Sequence, residues 1–120
     1  RFKSFPVQED EHFYTVARYV ERNAVRATLA RRAEDWRWSS LHRWLRGSSL
    51  DKELLAPWPL PRKASWVDHV NTPLTEGEVK AVRRSIQRGN PFGDEGWSDR
   101  TVRSLRLDST VRPRGRPKRA

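Results

Sequence analysis

Cysteine and methionine are both missing from this 120-residue chain, and so is any long apolar run. Without cysteine there can be no disulfides and no thiolate zinc site, so neither oxidative stapling nor zinc-ribbon chemistry enters the account. A transmembrane helix needs about 18 consecutive apolar residues, and Arg1-Phe2-Lys3 is not followed by the apolar stretch of a secretory signal. The expectation is a soluble, cytoplasmic protein that does not engage a membrane. Instead of methionine the chain opens on Arg1-Phe2-Lys3-Ser4-Phe5-Pro6-Val7, which reads as a strand rather than a translation start. It is therefore expected to be a fragment whose amino-terminal part lies elsewhere.

Acid is scarce relative to base. Twenty-five Lys and Arg against 15 Asp and Glu give a formal charge of +10 and a pI near 11.1. Such an excess favours polyanionic partners, because each phosphate neutralised releases counterions. Nucleic acid leads, with a merely solvated basic surface as the bland alternative. At 35% hydrophobic and 33% charged residues there is material for only a modest core.

Along the chain, Phe2 to Val7 suggests a short strand limited by Pro6 to an edge or an end. A helix is expected from Glu9-Asp10-Glu11, with Phe13, Val16, Ala17, Val20 and Ala24 as its apolar stripe. A second, short helix is expected near Ser40 to Leu45, capped by Ser39-Ser40 and ended by Gly47-Ser48-Ser49. Three prolines in Leu54 to Pro61 predict an extended connector. Beyond it come a helix over 64–70, a capping box in Thr75-Glu76-Gly77-Glu78 that starts another, closure at Gly89, and a last helix from Asp94 or Ser98 to Leu105. From Asp108 onward disorder is expected.

Three constellations carry possible chemistry. Tyr19 and Asn23 lie four residues apart on one helical face, so a phenol and a carboxamide converge, although a tyrosine there can equally anchor a core edge. Lys80, Arg83, Arg84 and Arg88 recur at helical spacing opposite Val79, Val82 and Ile86, a row that can track phosphates or simply be a solvated face. Arg112-Pro113-Arg114-Gly115-Arg116-Pro117-Lys118-Arg119 is AT-hook-like. Its glycine permits close approach and its arginines suit a narrow A·T minor groove, the alternative being a solvated tail. Six tryptophans offer stacking platforms or core packing, with Trp36 the expected exposed ring. His12, His42 and His69 are isolated and read as surface or packing residues.

The order of Arg1–Val7, the Tyr19 helix, Arg22-Asn23-Ala24-Val25-Arg26-Ala27, Glu34-Asp35-Trp36-Arg37-Trp38-Ser39-Ser40, Arg83 to Glu95 and the Arg112–Pro117 tail resembles the REP-associated tyrosine transposases. These are relatives of the single-tyrosine HUH transposases of the IS200-like family. The resemblance implies an α+β fold: the carboxy-terminal part of a ferredoxin-like HUH catalytic domain over 1–53, with one strand and the tyrosine helix. A Pro-rich connector over 54–63, a helical DNA-binding extension over 64–107 and a disordered basic tail over 108–120 follow.

It also implies cleavage and rejoining of single-stranded DNA at palindromic hairpins through a covalent 5′-phosphotyrosine, placing the protein at the bacterial nucleoid. Tyr19 matches the nucleophile. Asn23 matches a helix ligand to magnesium or manganese, with a His-hydrophobic-His pair expected upstream of Arg1 and no tight metal binding by this chain alone. Arg22 and Arg26 would steady phosphates. Ala24 and Arg37 stand where the family commonly has proline, and without the first of these prolines the helix is expected to continue past Asn23. The competing classes are a non-catalytic DNA-binding protein that uses the basic helix and tail, and an RNA-binding accessory protein. The palindrome and the oligomeric state are left open.

Overall fold

A computed structural model of the chain describes residues 3–113. Arg1 and Phe2, and the tail residues Arg114, Gly115, Arg116 and Lys118, lie outside that range. The helices are α1 (Glu11–Glu21), α2 (Asn23–Arg26), α3 (Ser40–Arg46), α4 (Ser49–Glu53), α5 (Trp66–Asn71), α6 (Glu76–Arg88), α7 (Glu95–Leu105) and α8 (Asp108–Val111), with a 3-10 turn at Ala33–Asp35.

The expected α+β class is therefore corrected. Helix accounts for 58% of the described residues and strand for 2%, and these residues form no sheet. Among the described residues of the anticipated strand only Val7 pairs, in a parallel bridge with Phe92. The Phe92 N–H donates to the Pro6 carbonyl at 2.8 Å, and the Gln8 N–H to the Phe92 carbonyl at 2.9 Å. Pro6 has no N–H to extend a ladder, and a lone bridge cannot build the ferredoxin-like layer.

Local signals set the helix ends. The Asp10 carboxylate accepts from the His12 N–H, Thr75 and Glu78 close a capping box, and Asp94 accepts from the Trp97 N–H. Each satisfies amide donors that have no partner within the helix. Gly89 ends α6 at φ +74°, a conformation costly for any side chain. Two segments differ from expectation. Ser48 does not merely follow α3; it N-caps α4 through a second capping box with Asp51. Asp108–Val111 is one helical turn rather than disorder, and Arg88 donates to the Ser109 carbonyl at 3.0 Å and to the Arg112 carbonyl.

The core gathers Tyr14, Ala33, Leu41, Trp66 and Val70, with Phe13, Ala17, Val25, Trp44, Trp58, Leu60 and Val67 against it. The run 54–63 lies over this core. Trp58 meets Phe13 and Trp66 edge-on, each at 5.1 Å, and the Tyr14 hydroxyl donates to the Pro61 carbonyl at 2.5 Å.

The buried face of α1 is Tyr14, Arg18 and Glu21, spaced four and three apart, rather than the full apolar stripe; Val20 stays 59% exposed. Burial of these polar groups is tolerated because each is satisfied. Arg18 donates to the Thr72 and Pro73 carbonyls at the end of α5. Glu21 accepts from Ser40 Oγ and Trp66 Nε1, both at 2.8 Å, and from Arg62 at 3.4 Å. One carboxylate thus ties α1 to α3, α5 and the proline-rich run.

Candidate nucleic-acid interface

The unburied side of α1 continues into α2 through a slight break at Arg22 (φ −88°, ψ −3°), and the Arg26 N–H still donates to the Arg22 carbonyl. Helical geometry thus carries past Asn23 to Arg26, placing four sequence candidates on adjoining turns. Tyr19 is half-buried, with its ring under the Arg26 guanidinium at 3.8 Å. The same guanidinium donates to the Tyr19 carbonyl at 2.9 Å and to Asn23 Oδ1 at 3.1 Å. Arg22 donates to the Val70 carbonyl at 3.2 Å.

Arg83 on α6 lies near enough to act on Arg26 through its charge. Burial above all, helped by Arg83, pulls the Arg26 pKa below its ordinary value, while Tyr19 works in the opposite direction. Burial, Arg18 and Arg26 lower that of Arg22. Both guanidiniums remain charged at neutral pH, and their mutual repulsion is what an anion would relieve. Among the described residues, none of Arg22, Arg26 and Arg83 pairs with a carboxylate, whereas Arg18, Arg32, Arg46 and Arg62 all do.

The other basic candidates lie apart. Lys80 and Arg84 are exposed and line a groove of about 1390 Å³ between α6 and α7, whose walls also carry Glu78, Glu95 and Asp99. Arg88 is half-buried and engaged with the carbonyls of α8, so part of its fork holds the fold together. Arg112 is exposed.

A divalent cation does not fit the residues present. Asn23 offers one neutral oxygen, and that oxygen already accepts from a guanidinium, whose charge would repel a dication. Among the described residues no group of three acidic, histidine or cysteine side chains is placed to hold a metal. The histidines have other work: His12 Nδ1 meets Asp10 at 2.8 Å, His42 Nδ1 meets the Glu34 carbonyl at 2.7 Å, and His69 packs on Trp66. Ser39 caps α3 and Ser40 serves Glu21, so neither is set up as a nucleophile.

Trp38, not Trp36, is the open ring. It is 69% exposed with Arg37 over it at 4.4 Å, whereas Trp36 is half-buried. Helical periodicity could not show this, because both residues lie outside a regular helix. No known protein family, curated protein or solved structure matches the chain.

Proposed function

We propose that this chain belongs to a tyrosine transposase that cleaves and rejoins single-stranded DNA at hairpins, with Tyr19 as the nucleophile. The observation that carries this is the half-open Tyr19 ring held under Arg26, one turn from Arg22, where among the described residues no carboxylate pairs with either arginine. A phosphodiester there would be held by guanidiniums while the phenolic oxygen attacks phosphorus. The bond to the 3′ oxygen breaks as the bond to tyrosine forms, the phenol loses its proton and the departing hydroxyl gains one. The bond order at phosphorus is conserved, so the strand can be resealed by the reverse step. The family's usual magnesium or manganese is given no role on the residues described.

A second function is favoured by one observation, the Asn23 oxygen facing Arg26 rather than an open cation site. In it the protein binds DNA without cutting it, through the same arginines, the Lys80 and Arg84 side of α6 and the basic tail. Denaturing gels of the complete gene product mixed with a labelled hairpin strand separate the two. Catalysis gives a covalent protein–DNA band that Tyr19→Phe abolishes while hairpin binding is retained; a band that survives in the Phe variant assigns the nucleophile elsewhere. No band with wild-type protein leaves the binder. Structured RNA that outcompetes the hairpin at fixed salt would replace both with an RNA-binding function.

A further inference from the structure

We propose that the notch lined by Val20, Asn23 and Trp38 is a nucleobase pocket, which takes one unpaired base of single-stranded DNA, stacks it on Trp38 and addresses its edge with the Asn23 carboxamide. This rests on the DNA-processing function above and adds to it the subsite for a base close to the phosphate held by the arginines.

The notch has a volume of about 390 Å³ and is walled by Val20, Asn23, Leu29, Trp36, Trp38 and Ser39, among others. Three of its large apolar side chains stand open to solvent, Trp38 at 69% and Val20 and Leu29 at 59% each. A base is flat and apolar on its faces and polar along its edge, and the notch offers both kinds of surface. Stacking on an exposed aromatic ring is a common way to hold unpaired bases, and Arg37 over Trp38 adds a cation beside the stack. Asn23 keeps its amide N–H groups and a second acceptor lone pair beyond the bond to Arg26, and a carboxamide suits the N6/N7 edge of adenine.

Charge selects this occupant over another protein surface. Asn23 touches Arg26 at 3.1 Å, so a base that enters the notch brings its phosphate within reach of that guanidinium. The one acid in the wall, Glu21, is turned to Ser40, Trp66 and Arg62 and does not oppose an anion. A second copy of the chain would bring two such uncompensated clusters together at a formal charge of +10 each.

The test compares labelled single-stranded DNA with its duplex, using wild-type protein, Trp38→Ala, Trp38→Phe and Asn23→Ala. Trp38→Ala should weaken single-strand binding about tenfold, leave duplex binding unchanged and preserve the slope of log affinity against log salt, because stacking but no phosphate contact is lost. Trp38→Phe should recover most of that loss. Asn23→Ala should erase a preference for adenine at one position of the strand. Since Trp38 is exposed, its replacement leaves the melting temperature in place.

Equal single-strand affinity of Trp38→Ala and wild type overturns the pocket, as does an equal loss on duplex. A dimer in sedimentation that Trp38→Ala dissociates overturns it too and makes the notch a protein interface. Covalent capture that needs Tyr19 but is indifferent to Trp38 leaves the transposase standing and removes the pocket. Trp38-dependent single-strand binding without covalent capture does the reverse.

Discussion

The two sides of α1 carry similar chemistry to opposite ends. On one, Tyr14 and Arg18 are 8% and 7% exposed, and their polar groups are committed to the carbonyls of Pro61, Thr72 and Pro73. On the other, Tyr19 and Arg26 face each other, half-buried, with a carboxamide and two further arginines at hand. Both pairs join a phenol to a guanidinium a turn or two away. What separates them is charge: Glu78 lies 3.9 Å from Arg18 on the first, whereas on the second Arg26 meets neutral oxygens and, among the described residues, no carboxylate. A residue type says what a site can do, and its unmet electrostatics say whether the fold has already used it.

That contrast can be broken by substitution. The largest effect is expected on the closed side, where Trp66→Ala empties a site that is 1% exposed and leaves Glu21 short of a donor. About 3–5 kcal/mol should be lost, read from urea unfolding. Arg18→Ala, which strands the Thr72 and Pro73 carbonyls, should cost about 2–3 kcal/mol by the same measurement. Tyr14→Phe, losing one hydrogen bond, should cost about 1 kcal/mol. Tyr19→Phe should stay within about 0.5 kcal/mol of wild type. If Tyr19→Phe destabilised as much as Tyr14→Phe, the open side would be structural after all.

A smaller effect sharpens the picture through pH. Burial, and then Arg18 and Lys63, hold the His69 imidazole below its ordinary pKa of 6.5, so the unfolded chain binds that proton more readily. The stability this gives is present above about pH 6.5 and is lost as the pH falls through the folded-state value. Urea midpoints at pH 7.5 and pH 5.5 should differ in that direction, and His69→Gln should shrink the difference. Glu78 and Asp94, held low chiefly by the amides they cap, add the same sign in the carboxylate range.

Much of the helical framework was legible because its signals are local. Thr75 with Glu78, Asp94, Ser39 and Gly89 each act on their own turn, so the starts of α3, α6 and α7 and the end of α6 lie close to where short-range chemistry puts them. The strand was not, because pairing depends on a distant partner, and Val7 finds only Phe92. The orientation of α1 was missed for a related reason: the buried carboxylate at Glu21 draws in Trp66, Ser40 and Arg62, and that attraction is invisible to a count of apolar residues. At the candidate site the Tyr19–Asn23 spacing was readable, but the approach of Arg83 and the opening at Trp38 arise only in three dimensions.

The contact between Val7 and Phe92, reinforced by Gln8 donating to Asp94 across 86 positions, works as a clasp on a long loop. Closing so distant a pair costs more chain entropy than forming any single helical turn, and only a few bonds reward it. It should be the last element to fasten as the chain folds and an early one to slip as it loosens. Amide hydrogens at Gln8 and Phe92 should then trade with solvent together and sooner than those inside α1.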